Sequence, residues 1–389
     1  MGTDLVDKDL FAAHFPRLFI ALAKRGHIVT WITGRASPEY RFETFEPPRF
    51  KVEALTQTRT VRYFSELIRK LFGFWNVLRS AAHRDVIIFE NVRSPVSLAT
   101  PILLLERFVN RRPIVLLRIT TNPQETGSGL REFILRFEDA LSVKLAATFF
   151  DGIFFISPMM AQMYASKFRI PQNKIGIWPV AVDSAFFAKQ PKSKIEKLRR
   201  ELDSNELLVI YHGYLSEARN LMTTAQAFEL LKSESIKAKL ILLGEGPIKE
   251  KLVKYISAHR LNDCVQLLGP VDYLTVPQYI AACDVGIIPL PDHEWFRYQC
   301  PTKLLEYLAM GKPVIVSNIP ANSWVASRAS VAIFLDGTSS DKIAEGVKRF
   351  IASRKDLSPE EGRQIAKAFS IEQMAENIEL QILGFGGKS

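Results

Sequence analysis

The run Pro301-Thr302-Lys303-Leu304-Leu305-Glu306-Tyr307-Leu308-Ala309-Met310-Gly311 places one cation and one carboxylate, Lys303 and Glu306, three residues apart. The surrounding face presents Leu304, Leu305, Leu308 and Met310, where a structural helix would carry apolar side chains alone. A buried acid there needs partners. Proline at the first helical position and glycine just past the end predict a helix over 301–310, and Val314-Ile315-Val316 reads as the buried parallel strand that follows. The N-terminus of such a helix offers free N–H groups and a positive dipole end suited to a diphosphate, and a carboxylate one turn deeper can accept hydrogen bonds from a ribose. The chemistry expected of Pro301, Thr302, Lys303 and Glu306 is therefore that of a nucleotide-sugar pocket. The same pattern also fits an amphipathic helix with Glu306 at its solvent edge.

Leu243-Gly244-Glu245-Gly246-Pro247 ends a strand and opens a helix, so backbone can approach a nucleotide closely at Gly244 and Gly246. As a dinucleotide fingerprint the turn fails, because Lys249 occupies the third glycine position. None of the six histidines falls in a nucleophile–base or metal-ligand arrangement. His14 lies on the first predicted helix. Asp7-Lys8-Asp9 superficially matches a metal-binding acid pair, but no long apolar strand precedes it, and it reads as a solvated helix start; no metal is expected. Cys264, Cys283 and Cys300 are odd in number and far apart, which implies neither a disulfide framework nor a zinc site.

A chain of 389 residues is too long for one ordinary core, and two domains of about 150–200 residues are expected. Helical and strand-like patterns alternate throughout, which argues for an α/β protein with parallel sheets. Helices are expected over 10–24 and 130–146, and strands over 27–33, 85–89, 114–118 and 152–156. The second half repeats the rhythm with strands over 207–211, 240–243, 265–268 and 285–288, separated by helices that reach about 232 and 258. Between the halves, 175–183 reads as a short connection containing Pro179. Doubly wound domains begin with a central strand leading into a glycine turn. Here Gly2-Thr3-Asp4 stands as the turn with no strand before it: either the start is placed too far downstream, which is the favoured reading, or the sheet lacks a central strand.

The formal charge of +10 is unevenly spread: residues 1–180 hold twenty-five basic and sixteen acidic side chains, against twenty-six and twenty-five in the remainder. A basic first half suggests an anionic partner there, a membrane surface or a phosphate-bearing acceptor. Its basic residues are dispersed among acids and no nucleic-acid fold signature appears, so nucleic acid is not an expected partner. Over 59–82, Val61, Phe64, Ile68, Leu71, Trp75, Leu78 and Ala82 recur at steps of three and four, with Arg62, Arg69, Lys70 and Arg79 around them. This helix either packs on the first sheet or lies on an anionic bilayer. Asp4, Asp7, Lys8 and Asp9 stand where a signal peptide needs an apolar core, and no uncharged apolar run approaches about 18 residues. A cytoplasmic protein, able to attach peripherally to the inner face of the membrane, is expected.

In this order the motifs resemble those of the retaining glycosyltransferases of family 4, the glycosyl transferases group 1. The resemblance spans about residues 9–384 and is strongest over 205–320. It implies the GT-B fold, with two Rossmann-like doubly wound domains facing a central cleft: an acceptor-binding domain over 1–180, a nucleotide-sugar-binding domain over 181–355, and helices over 356–389 packing back on the first. It also implies sugar transfer, with retention, from a nucleoside diphosphate sugar to a glycan or lipid-linked acceptor in cell-surface polysaccharide synthesis, with no cofactor beyond that co-substrate. Tyr211 to Leu221 resembles the family loop in which a glycine, here Gly213, ends the strand and a base, here Arg219, faces the diphosphate. Charge neutralisation as the sugar–phosphate bond breaks is what a guanidinium supplies bidentately without a metal. By the resemblance Arg219 and Lys303 are catalytic, Glu306 holds the ribose, Gly244 and Gly246 lie near the base, and Gly2, Thr3, Asp4 and His14 lie on the acceptor side. Three positions depart from the family pattern. Tyr298 stands where a second glutamate usually meets the sugar, with Glu294 out of register, and Tyr214 and Asn220 hold positions often given to basic residues. Where many relatives keep a histidine in the first domain, this chain offers Arg118, Thr120 and Asn122. Two other readings share the fold: a nucleotide-sugar epimerase, which would need an acid/base pair in the cleft, and a non-catalytic relative acting as a binding partner, which the departures favour.

Overall fold

The computed structural model describes residues 14–33, 50–54, 85–90, 113–121, 129–202, 206–327 and 330–386. Gly2, Thr3, Asp4 and the amphipathic stretch 59–82 lie outside the described residues. The chain divides into two compact units, Met1–Val180 with Ile371–Ser389, and Ala181–Ser370.

In the first unit, β1 (Val29–Thr33) and β2 (Phe50–Ala54) form a parallel pair, and β3 (Val86–Glu90), β4 (Ile114–Ile119), β5 (Gly152–Phe155) and β6 (Ile175–Ile177) form a parallel sheet in chain order. A doubly wound half would place one strand between β1 and β3, and among the described residues no strand does. Ile175-Gly176-Ile177, read from sequence as part of a connection, is the edge strand β6. Gly176 makes room for the Phe154 ring, which a Cβ at that position would approach to 2.6 Å, and Phe154 meets Trp178 edge to face at 5.2 Å. The open edge of β6 is covered by the helix Ile371–Gly386: the Ile177 N–H donates to Gln381 Oε1 at 2.9 Å, and Gln381 Nε2 donates to the Ile177 carbonyl at 3.0 Å. Glu379 of the same helix pairs with Arg25 at 2.6 Å and His27 at 3.1 Å. Of the C-terminal helices expected over 356–389 on the first domain, Ile371–Gly386 belongs to this unit and Pro359–Lys367 to the second. Arg118 and Thr120 are buried, and the Arg118 guanidinium lies 4.3 Å from the Trp178 ring centroid, a packing arrangement inside the unit.

The second unit contains β7 (Leu207–His212), β8 (Ala238–Leu243), β9 (Val265–Gly269), β10 (Val285–Ile288), β11 (Val314–Ser317) and β12 (Ala332–Leu335), all parallel, in the order β12-β11-β10-β7-β8-β9. Strands β7, β10 and β11 are buried along their whole length, which is why their sequences are unbroken apolar runs rather than alternating ones. The winding runs from β7 through β8 and β9 on one side and from β10 through β12 on the other. The β7–β10 junction is thus the topological switch point, and ligands of such sheets bind at the carboxyl ends of the strands there.

Two polar locks fix the start of β10, the first of them to β7. Asp284, just before β10, takes both Arg199 guanidinium nitrogens at 3.0 Å and accepts the Leu208 N–H at 2.8 Å. Lys312 donates to the Ala281 and Cys283 carbonyls at 2.9 and 2.6 Å, closing the end of the helix Val276–Ala282.

Beyond the strands, the β7–β8 pairing continues into the loops. Gly213 N–H donates to the Leu243 carbonyl at 2.8 Å, Leu215 N–H to Glu245 at 2.8 Å, and Ile248 N–H to Leu215 at 3.2 Å. The approach is so close that a Cβ at Gly244 would stand 2.0 Å from the Gly213 carbonyl oxygen, and one at Gly246 2.2 Å from that of Leu215; both glycines have positive φ, +147° and +159°. Gly244→Ala is expected to destabilise the second unit by about 2–4 kcal/mol, combining backbone strain and overpacking. Gly384→Ala, in a helix with nothing within 4 Å, is expected to be neutral or slightly stabilising. Denaturant unfolding of the two variants checks this, and equal midpoints would contradict the loop packing.

Candidate functional site

The helix Thr302–Ala309 begins one residue later than the sequence predicts, because Pro301, with ψ of 87°, is its N-cap rather than its first residue. Its end follows the expected glycine stop: Gly311 has φ of +64°, its N–H donates to Leu308 at 2.9 Å, and the Lys312 N–H donates to Tyr307 at 2.9 Å, the paired bonds of a Schellman motif. Tyr307 fastens this helix over the switch point. Its hydroxyl donates to the Ile210 carbonyl of β7 at 2.9 Å, and its ring fills the space over Gly286 of β10, which a Cβ there would approach to 2.5 Å.

With the helix so placed, Glu306 is 2% exposed, which removes the solvent-edge reading. The Tyr273 hydroxyl donates to Glu306 Oε1 at 3.0 Å, and His212 Nε2 stands 3.4 Å from Oε2. His212 ends β7 and packs edge-on to Tyr307 with ring centroids 5.1 Å apart. Burial holds the Glu306 carboxyl above the usual carboxylate range; Lys303 and the Tyr273 hydroxyl act in the opposite direction, and nearby Asp183 adds to the rise. Asp183, itself buried, accepts the Ala185 N–H at 2.8 Å.

Lys303 is one turn nearer the helix N-terminus. Its side chain crosses Gly213, where a Cβ would lie 2.8 Å from Lys303 Cε, and its Nζ sits 5.4 Å from the Tyr211 ring centroid. Burial and the positive charge of Arg219 push its ammonium below the ordinary lysine value, against the pull of Glu306. Arg219 closes the 3₁₀ turn Glu217–Arg219 after β7, and its charge acts on the buried Tyr211 phenol against the rise that burial causes, while the Tyr211 hydroxyl donates to the Tyr214 carbonyl at 3.1 Å. Asn220 follows in the left-handed region, φ +59°, and ties the loop down by donating to the Thr338 carbonyl at 2.6 Å.

The second unit thus gathers Gly213, Arg219, Lys303 and Glu306 at the carboxyl end of β7, with Pro301 and Thr302 at the head of the helix. Two cations that repel each other and one buried carboxylate can together hold a strongly anionic ligand that also carries hydroxyl groups. Gly244 and Gly246 adjoin this place, but the room left by their missing side chains is taken by the backbone of 213–215. His14 opens the helix His14–Lys24 of the other unit. Sequence reasoning missed His212, Tyr273 and Asp183. A histidine ending an otherwise apolar strand was the available signal for His212; Tyr273 sits in a short polar turn that gives none. Tyr298 follows the helix Glu294–Arg297, whose Arg297 pairs with Asp292 at 2.7 Å, and Glu294 is the first residue of that helix. The three cysteines are free and buried, and burial pushes the Cys283 thiol up to about 12. Among the described residues, no group of three or more His, Cys, Asp or Glu side chains is placed to hold a metal ion, and no helix is long and apolar enough to cross a membrane.

Comparison with known proteins covers both halves. Residues 13–186 match Glycosyltransferase Family 4, and residues 193–384 match Glycosyl transferases group 1. A putative teichuronic acid biosynthesis glycosyltransferase of Bacillus subtilis, TuaH, is 42% identical over 55 residues, 14% of each chain. A GDP-mannose-dependent alpha-(1-6)-phosphatidylinositol monomannoside mannosyltransferase of Mycobacterium tuberculosis is 24% identical over 216 residues, 52% of this chain and 53% of that protein. The chain therefore spans about half the length of that relative and far less of TuaH. Among solved structures, Anabaena Alr3699/HepE in complex with UDP and glucose superposes with a TM-score of 0.72 at 17% identity, covering 97% of each chain. WaaG, a glycosyltransferase involved in lipopolysaccharide biosynthesis, superposes with a TM-score of 0.69 at 13% identity, covering 95% of each. Two family descriptions in the expected order and a whole-length structural likeness agree: the chain belongs to the group 1, family 4 glycosyltransferases and has their GT-B fold.

Proposed function

We propose that this protein moves a sugar, with retention of configuration, from a nucleoside diphosphate sugar to a glycan or lipid-linked acceptor in cell-surface polysaccharide synthesis. The observation that carries the reading is the meeting of Arg219, Lys303 and Glu306 at the β7–β10 switch point. Glu306 accepts hydrogen bonds from the donor ribose, and Arg219, Lys303 and the free N–H groups at Thr302 meet the diphosphate. As the sugar–phosphate bond breaks, negative charge grows on the leaving diphosphate, and two fixed cations in a site shielded from water stabilise it without a metal or other cofactor. The names of the relatives support the substrate class: HepE is bound to UDP, and the mycobacterial enzyme is GDP-mannose-dependent. Acceptor-side roles for Gly2, Thr3, Asp4 and His14 rest on the resemblance alone. Tyr298, in place of a glutamate, favours a second reading, a relative that binds the donor but does not turn it over.

The basic first half supports a cytoplasmic location with peripheral attachment to an anionic membrane surface through 59–82. Wild-type protein is expected to co-sediment with anionic but not neutral vesicles at low salt, and Arg62, Arg69 and Lys70 changed to Glu to abolish this; wild-type protein that ignores anionic vesicles would end the membrane proposal.

Titration with UDP, GDP, ADP and dTDP identifies the base, and hydrolysis or transfer from the matching sugar separates an enzyme from a binding protein. Glu306→Ala is expected to weaken binding of the preferred nucleotide by about 1–3 kcal/mol, and Glu306→Gln by less; unchanged affinity in a folded Glu306→Ala protein would sink the assignment. Arg219→Ala is expected to lower turnover by on the order of 10²–10³ with a smaller effect on affinity. EDTA is expected to leave activity intact, and a loss restored by Mg²⁺ or Mn²⁺ would refute the metal-free mechanism.

A further inference from the structure

Glu306 receives a ribose best when its carboxylate is both ionised and held still, and its own helix supplies only Lys303, which favours the ionised form. The side chain has three rotatable bonds, and its burial favours the neutral acid. An ionised carboxylate accepts at both oxygens, whereas the neutral acid turns one of them into a donor and keeps less acceptor capacity for ribose hydroxyls. Something outside the helix has to fix it.

We propose that Tyr273 is a positioning residue for the donor, acting through Glu306: its hydroxyl anchors Oε1 and keeps the carboxylate in the accepting form. This rests on Glu306 being the donor contact. The hydroxyl lies 3.0 Å from Oε1, and a phenol donates most strongly to an ionised acceptor. Tyr273 is itself held rigidly. It opens the 3₁₀ turn Tyr273–Thr275, capped by Asp272, whose carboxylate accepts the Leu274 N–H at 2.8 Å while the Thr275 hydroxyl donates to the Asp272 carbonyl at 2.7 Å. Its ring packs on Phe186 with centroids 5.4 Å apart. A turn fixed at both ends presents the hydroxyl at one point.

The other groups that bear on Glu306 come from four directions. Lys303, on the same helix, favours the ionised form; Asp183, from the segment before Ser184–Phe186, disfavours it. His212 of β7 faces Oε2, and Arg219 acts through Lys303. The Tyr273 hydroxyl opposes burial and Asp183 together. Without it the carboxyl protonates at higher pH, so the acid-side loss of donor affinity begins earlier as pH falls.

The test is calorimetric titration of the full chain with the nucleotide diphosphate that binds best, from about pH 5 to pH 8, using Tyr273→Phe, Phe186→Leu and Glu306→Gln. The phosphate titration of the nucleotide is common to all variants, so differences between them belong to the protein. Tyr273→Phe keeps the ring on Phe186 and is expected to bind about three- to tenfold more weakly at neutral pH, with the acid-side midpoint moved to higher pH. Phe186→Leu, which loosens the ring and keeps the hydroxyl, is expected to move the midpoint the same way by less, and it keeps the test open if Tyr273→Phe folds poorly. In Glu306→Gln the protein's share of the acid-side dependence is expected to vanish. If Glu306→Gln binds and titrates like wild type, the Glu306 assignment fails and this inference with it. If Glu306→Gln loses affinity while Tyr273→Phe matches wild type, or weakens with its midpoint unmoved, only the role of Tyr273 is overturned.

Discussion

A carboxylate buried to 2% exposure is the constraint around which the second unit is arranged. Left alone in such a place it would cost several kcal/mol or give up its charge. Its neighbours arrive from separate parts of the chain: Lys303 from its own helix, His212 from the end of β7, Tyr273 from the turn after β9, and Arg219 from the loop after β7 by way of Lys303. They converge only while the helix Thr302–Ala309 sits over the β7–β10 junction in one register. The Tyr307 bond to Ile210, beside the site, and the Asp284 clamp on Arg199 and Leu208, at the other end of the strands, fix that register. Small residues such as Gly286 serve the same end, by letting Tyr307 lie flat against the sheet.

The parts legible in the sequence were those whose physics is local. Unbroken apolar runs announce β7, β10 and β11 because both faces of a parallel sheet are covered. The helix before β11 is legible because Gly311 takes a left-handed conformation that other residues adopt only under strain. The one-residue error at its start has an equally local cause: proline fixes φ but not ψ, and at Pro301 ψ is not helical. Strand β6 was illegible, since three residues with a central glycine show no period. Tyr273 was illegible for a different reason. Its meaning lies in a contact with a residue thirty-three positions away, and nothing in Val-Asp-Tyr-Leu-Thr distinguishes an exposed turn from one that braces a pocket.

Glycine was read too narrowly. At Gly244 and Gly246 the sequence suggests space for a nucleotide, yet the loop after β7 occupies that space with its own backbone. The inference from glycine to close approach was correct, but the approaching group belongs to the protein. The result still serves the site, because the loop so fixed is the one that leads to Arg219. At Gly213 the missing side chain admits Lys303, and a backbone requirement and a charge placement coincide in one residue.

The charge balance of the pocket explains why such an arrangement is suited to an anion. Glu306 has its carboxyl raised, so its contribution to stability is fully present below the unfolded-state value and is lost as pH rises through the folded one. Lys303 has its ammonium lowered, so its contribution is present above the unfolded-state value and is lost as pH falls through the folded one. Near neutral pH burial therefore presses both groups towards their neutral forms, and Arg219 makes the lysine's position worse. An anion placed there would compensate both cations at once, and a hydroxyl donated to Glu306 would relieve the carboxylate. An anion that binds such a place draws part of its binding energy from relieving the repulsion between the cations, and by linkage it stabilises the unit that holds it.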